Sequence, residues 1–487
     1  MFLREPLVVL LALIVCSLPL VALVRPKTTK FLHPLGLALH SLLVTACYGL
    51  FLLLSGSALF AAALAGCLTL ALVIASNLKW TVLGEPLVFS DLCVIKDFVK
   101  HPKFYIFAIP IRIRLCVVVA LFCIGVGYAV ALRHSCPVTV RLCAFVLTAT
   151  TTLCLARLPV TRLAPTPALK TDISRFGLLG CLFVYWRCWQ KQPPAVPPNH
   201  QEQTEPTTPT FDLIVVVQCE SFTDPQTLNL PDTVSLPDMP ELERARSMAS
   251  HYGALHVNGF GAYTIRTEYG VLFGRSEQEL AFQQFDPYLT AKHDTVFSLP
   301  HKLRQAGYTS VFLHPYTLDF SNRGSLMRHI GFDAVMGAES FSHTPTPAMP
   351  YVPDTLLADK LIALCTSATQ PLFLYTVTIE NHGPWREEGK PLETYLEHLK
   401  NSDRMIGQLL NSLETSQRSA LLVFFGDHRP SICPDLPPTT ERSTPYFVLP
   451  VKNKKSYEFD NNIVPLTPAQ LHHMIMKSII NFRENGA

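Results

Sequence analysis

Four short stretches in the second half of this 487-residue chain carry groups that can hold a cation and activate an oxygen nucleophile. Glu220 and Ser221 follow the apolar run 211–218, and Asp427 and His428 follow Gly426 at the end of the apolar run 420–425. Glu380, Asn381 and His382 come just after the run 372–378, and His314 comes just after 309–313. Carboxylate oxygen and imidazole nitrogen drawn from separate loops suit a divalent ion such as zinc or manganese. A lone histidine after a strand is most often an ordinary loop residue. Gly426 ahead of Asp427 and His428 says more, because glycine lets the chain turn sharply and aim both side chains at one point.

The segment 259–274 supplies a nucleophile. Gly259 and Gly261 precede Thr264, Thr267 and Glu268, where the pattern predicts the start of a helix. Free N–H groups at a helix N-terminus bind phosphate or sulfate oxygens. A hydroxyl at that point can attack such a group in line once a metal lowers its pKa. The alternative is a capping Thr264 with Glu268 in the first helical turn, a purely structural role.

Positioning these residues needs a sheet whose strands end at one edge. The continuous apolar runs 211–218, 309–313, 372–378 and 420–425 read as strands buried on both faces, and 446–451 reads as an edge strand. Helices are predicted near 240–250, 296–306, 322–330, 354–366, 392–414 and 467–482. Strands alternating with helices imply a mainly parallel sheet between helical layers. In such folds ligands bind beyond the carboxyl ends of the strands, which is where the residues above fall.

The first half is built for a different solvent. The chain is 49% hydrophobic and 16% charged, which argues against disorder and is too apolar for an ordinary soluble enzyme. Residues 1–209 hold 18 Lys and Arg against 7 Asp and Glu, whereas residues 210–487 hold 22 against 30. The basic excess lies with the apolar half, so a nucleic-acid binder is excluded as a reading. Five stretches are long and apolar enough to span a bilayer: 6–24, 35–54, 58–76, 115–132 and 139–157. The first reads as a retained helix, since Pro26 and Lys27 follow it in place of a small-residue cleavage site. The shorter stretch 176–186, with Trp186 and Trp189 beside Tyr185, suits a helix lying at the membrane interface or one packed on the soluble domain. A polar, proline-rich linker over 192–210 follows. The expected domains are therefore 1–160 in the membrane, 161–210 as interfacial helix and linker, and 211–487 as the catalytic domain. Eleven of the 14 cysteines precede residue 200, and none of the 14 is in CxxC spacing, so neither a disulfide framework nor a cysteine zinc site is expected.

The ordered set of Glu220, the glycine-rich loop with Thr264, Asn381-His382 and Gly426-Asp427-His428 resembles the alkaline phosphatase/sulfatase superfamily. More narrowly it is similar to the lipoteichoic acid synthase and phosphoglycerol transferase branch. Asn77, Lys79, Gly84-Glu85-Pro86 and Ser90-Asp91-Leu92 look like that family's loop before its fourth membrane helix. The resemblance implies a five-helix anchor and an extracytoplasmic sulfatase-like domain in a bacterial cell membrane. It implies one divalent metal on Glu220, Thr264, Asp427 and His428, manganese first, with zinc or magnesium as alternatives. Thr264 would be the nucleophile, and Arg323 and His382 would contact the phosphoryl group. The donor would be a membrane phospholipid, phosphatidylglycerol first, and the acceptor a glycan or polymer. Ser321 stands where the family has Trp, and Tyr263 and Ile265 make the nucleophile loop bulkier, so the head group stays open. With the N-terminus inside, the inner loops carry Arg4, Arg133 and Arg141 and the outer segments carry Arg25, Lys27, Lys30, Lys79, Lys96, Lys100, Lys103, Arg112, Arg114 and more, so the loop charges favour the opposite orientation to the one implied. Phosphoethanolamine transfer, hydrolysis to water and a non-catalytic sensor are the competing readings.

Overall fold

The computed structural model describes residues 4–26, 33–92, 111–132, 137–195, 206–346, 349–383, 385, 390–451 and 462–484. Lys27, Lys30, Lys96, Lys100, Lys103 and Arg133 of the loop-charge count, and residues 196–205 of the linker, lie outside them. The chain divides into two compact units, Met1–Gln192 and Pro193–Ala487.

Five helices of the first unit are long and apolar enough to cross a membrane: α1 (Arg4–Ala22), α2 (Pro34–Ser55), α3 (Ala58–Leu83), α4 (Ile111–Leu132) and α5 (Val138–Ala156). Several polar groups of this unit find partners within it, as a lipid environment favours. Ser17 Oγ lies 2.8 Å from His40 Nε2, and the Tyr48 hydroxyl donates to the Pro6 carbonyl at 2.9 Å. At the end of α3, Lys79 Nζ bridges Asp91 at 2.6 Å and Glu85 at 3.3 Å. The stretch 176–186 belongs to a longer helix, α6 (Leu169–Lys191), broken at Gly177 with φ 68°. It packs on α2 within this unit, where a Cβ at Gly36 would come 2.8 Å from the Arg175 carbonyl.

The second unit is built on one eight-stranded sheet. Its strands are β1 (Leu213–Cys219), β2 (His251–His256), β3 (Thr309–Leu313), β4 (Ala334–Met336), β5 (Leu372–Val377), β6 (Ala420–Gly426), β7 (Ser443–Val451) and β8 (Asn462–Ile463). The order is β4-β3-β5-β1-β6-β7-β2-β8. β4, β3, β5, β1 and β6 run parallel, and β7 is antiparallel to both β6 and β2. The fold is therefore a mixed, mainly parallel α/β sheet, as the alternating pattern predicts. Alternate β1 side chains feed two cores. Leu213, Val215 and Val217 face helices α7 (Pro240–Met248), α11 (Asp354–Ser367) and α12 (Pro391–Thr415). Ile214 and Val216 face α8 (Thr264–Phe273), α9 (Leu299–Gln305), α10 (Arg323–His329) and α13 (Pro468–Glu484). Burial on both faces is why β1 has no polar alternation.

The segment 446–451 is not an edge strand. β7 lies between β6 and β2, and the edges are β4 and β8. Pro450 suggests an edge because proline cannot donate to a ladder. In the structure β7 pairs with β2 through residues 443–448 and with β6 through 446–451. Pro445 and Pro450 thus sit where the strand has one neighbour, and an interior strand tolerates both. Strand β2, with its two histidines and Gly253, carries too weak a strand pattern to be read from sequence.

Candidate active site

The register of the central strands assembles the site. Cys219 of β1 pairs with Gly426 of β6, so the next residues, Glu220 and Asp427, emerge side by side. Gln218 pairs with Val377 of β5, which sets Thr378 next to Cys219, and the Thr378 hydroxyl accepts the Glu220 N–H at 3.0 Å. The close strand approach needs glycine at 426: a Cβ there would fall 2.2 Å from the Phe222 carbonyl oxygen. The nucleophile loop is tied to the same edge, with Gly261 N–H donating to the Arg429 carbonyl at 2.8 Å.

Helix α8 begins at Thr264, after Tyr263 in the left-handed region at φ 81°. Thr264 does not cap the helix with its side chain. Its Oγ1 donates to Glu220 Oε2 at 3.2 Å and lies 3.4 Å from His428 Nε2. That position favours the nucleophile reading over the capping one. Thr267, one turn on, donates to the Asp427 carbonyl at 2.7 Å and pins the helix to the Gly426-Asp427-His428 turn.

Glu220, Asp427 and His428 are buried, with one ligand atom from each within 4.8 Å of the others. Among the described residues they form the one such group. His428 Nε2 is 3.2 Å from Glu220 Oε1 and 3.7 Å from Asp427 Oδ2. Asp427 Oδ1 accepts the N–H groups of Ser221 and His428, each at 2.8 Å, while Oδ2 is buried with no hydrogen-bond partner. An orphaned carboxylate oxygen beside a second carboxylate, an imidazole and a hydroxyl is a donor set that fits a divalent cation.

The three side chains shift one another's protonation. Burial and the neighbouring Glu220 charge push Asp427 up to about 7. His428 is disfavoured as a cation by burial, yet the Asp427 and Glu220 charges pull it up to about 9. Glu220, also opposed by burial, is held well below the usual carboxylate range by the His428 charge and hydrogen bond. A proton on His428 fills the role that a cation would take.

The remaining predicted residues have partners of their own. His382 is half-buried, and its charge helps to hold Glu220 ionised. Its Nδ1 lies 3.4 Å from the Tyr351 hydroxyl. Arg323 opens α10 directly after Ser321 and Asn322, both left-handed at φ 51° and 53°. Its Nη2 donates to Glu268 Oε2 at 2.8 Å, and its Nε is buried with no hydrogen-bond partner. Glu268 also accepts the Tyr288 hydroxyl at 2.5 Å. So Glu268 is a partner of Arg323 and not a first-turn charge. Two residues suggested by the strand-end rule do not join the ligand set. His314 turns Nδ1 to the Val377 carbonyl at 2.9 Å, and burial lowers it to about 3. Glu380 accepts from the Asp354 N–H and from Asn401, both at 2.6 Å.

Sequence reasoning gave Ser221 no role of its own and passed over Thr378 and Tyr395; the Ser221 and Thr378 hydroxyls bond to Glu220, and the Tyr395 hydroxyl donates to the Ser221 carbonyl. Only their adjacency to the strand ends could have flagged the first two.

The model of the Sulfatase family matches residues 212–474. The capsular polysaccharide biosynthesis protein RkpI of Rhizobium meliloti is 28% identical over 420 residues, 78% of this chain and 75% of that protein. Lipoteichoic acid synthase 1 of Bacillus subtilis is 24% identical over 157 residues, 29% of this chain and 25% of that protein. Among solved structures, the Streptococcus pyogenes phosphoglycerol transferase GacH in complex with sn-glycerol-1-phosphate aligns with a TM-score of 0.44 at 15% identity, covering 61% of this chain and 83% of that one. A family match across more than half of the 487 residues, falling on the sheet and on every residue of the Glu220-Thr264-Asp427-His428 cluster, shows that this chain, with its N-terminal apolar helices, belongs to the sulfatase family of the alkaline phosphatase superfamily.

Proposed function

We propose that the chain is a metal-dependent transferase that moves a phosphoglycerol-type head group from a membrane phospholipid, phosphatidylglycerol first, to a cell-surface glycan or polymer. The single observation that carries the reading is the Thr264 hydroxyl, set within 3.2–3.4 Å of Glu220 and His428 at the start of α8. Glu220, Asp427, His428 and Thr264 would hold one divalent ion, manganese first. When bound, that ion supplies positive charge that lowers the threonine pKa and offsets phosphoryl charge.

The rest of the work falls to the protein. Thr264 Oγ1 forms a bond to phosphorus while the bond from phosphorus to the diacylglycerol oxygen breaks. The threonine proton ends on that oxygen, releasing diacylglycerol and leaving a phospho-threonine. An acceptor hydroxyl then takes the group and returns a proton to Thr264, which gives ping-pong kinetics. Arg323, a buried cation with an unused Nε donor, and His382 would grip the non-bridging oxygens. An anchor of five apolar helices keeps the domain beside a lipid donor and raises its effective concentration. Extracytoplasmic placement follows from where lipid donors and surface polymers meet, and the name of RkpI points to a polysaccharide acceptor.

The test is Thr264→Ala in the full chain with phosphatidylglycerol vesicles. Loss of diacylglycerol release with retained folding is expected, together with a trapped adduct on Thr264 of the wild type whose mass identifies the head group. Undiminished release by the variant would remove Thr264 as nucleophile.

A further inference from the structure

Ser221 touches every member of the buried ligand group. Its Oγ donates to Glu220 Oε1 at 3.0 Å and lies 3.5 Å from His428 Nδ1. Its N–H donates to Asp427 Oδ1 at 2.8 Å, and its carbonyl accepts the Tyr395 hydroxyl at 2.8 Å. Ser221 is 3% exposed and adopts φ 49°, the left-handed region that a non-glycine residue seldom occupies. Such a conformation persists only where the surroundings over-determine it, and it concentrates at functional sites. Here an extended φ at 221 would rotate the hydroxyl away from Glu220, whereas the N–H, fixed by the preceding peptide plane, stays on Asp427. That N–H and the one of His428 occupy Oδ1 together, leaving Oδ2 as the free oxygen.

We infer that Ser221 is the positioning residue of the metal site: its N–H reserves Asp427 Oδ2 for the cation, and its hydroxyl sets the rotation of the Glu220 carboxylate. The inference rests on the metal reading above and adds to it a residue that holds no metal itself. Hydrogen-bond partners of metal ligands typically change metal affinity about 10- to 100-fold when removed. A backbone role alone would make the opposite prediction, since glycine is at ease in the left-handed region and would serve as well or better.

Two variants of the full chain in detergent separate these roles, read by calorimetric titration of the metal-free protein with Mn2+ and with Zn2+. Ser221→Gly relieves the backbone and removes the hydroxyl. Its metal-free melting temperature should be no lower than that of the wild type, and its dissociation constant for the ion should rise about tenfold or more. Ser221→Ala removes the same hydroxyl but keeps the backbone strain. It should show the same loss of affinity with a lower melting temperature than the glycine variant. Wild-type affinity in Ser221→Gly, within twofold, overturns the inference and leaves the metal reading standing. A wild type that takes up neither ion overturns both.

Discussion

Binding of Mn2+ to the full chain should weaken steeply as pH falls from 8 to 6. The ligands must be deprotonated to bind, and two of them hold protons near neutrality. Burial and the Glu220 charge raise Asp427 to about 7, and the two carboxylates hold His428 near 9 against the pull of burial. Glu220 is already ionised. Taking about 9 and about 7 as the two successive protonation steps of the Asp427–His428 pair, affinity should drop about twentyfold from pH 8 to 7 and about fiftyfold from 7 to 6, with roughly 1.5 protons released per ion at pH 7. Calorimetric titration at each pH, repeated in two buffers of different ionisation enthalpy, reads both quantities. The metal-free protein should behave oppositely. A histidine raised from 6.5 to about 9 contributes stability that is full below 6.5 and lost as pH rises through 9. Asp427, raised from 3.8 to about 7, has lost its contribution by neutral pH. The melting temperature without metal should therefore fall between pH 7 and 9, and saturating Mn2+ should remove that fall. A flat affinity between pH 6 and 8, with no proton released, would refute the claim that these three side chains share the ion.

Glu268→Gln leaves the Arg323 guanidinium uncompensated in a site where the two side chains are 5% and 0% exposed. Breaking a buried pair in this way should cost about 3–5 kcal/mol, measured by denaturant unfolding of the full chain; a loss below about 1 kcal/mol would mean that water reaches the pair. Gly426→Ala forces a Cβ to 2.2 Å from the Phe222 carbonyl and 3.0 Å from Thr444 Cβ. The strands must part, so stability should fall by about 1–3 kcal/mol or more, and Mn2+ affinity should fall with it because the Cys219–Gly426 register sets the spacing of Glu220 and Asp427. Unchanged affinity in that variant would separate the register from the site.

Much of the site was legible because its residues follow runs with only one reading. The stretches 211–218 and 420–425 are apolar without interruption, so each had to be a strand buried on both faces, and the groups just beyond them had to sit at the sheet's carboxyl edge. That logic picks out Glu220, Asp427 and His428. It equally picks out His314 and Glu380, which the structure turns toward backbone partners. A strand end fixes where a residue emerges but not which way its side chain rotates, and that rotation depends on neighbours far along the chain. The role of Glu268 was missed for the same reason, since its partner Arg323 stands 55 residues away.

By itself the sequence determined the division into an apolar basic half and an acidic half, the buried central strands, and the residue types able to bind a cation. Those follow from local composition and periodicity, which need no partner to be expressed. Only the tertiary structure decided the order of the strands, the interior place of β7, and the convergence of Glu220, Thr264, Asp427 and His428. The physical reason is register. Pairing Cys219 with Gly426, residues more than 200 positions apart, is a choice among many alignments of two apolar strands. It is settled by the packing of both faces at once and by a glycine that lets Phe222 approach.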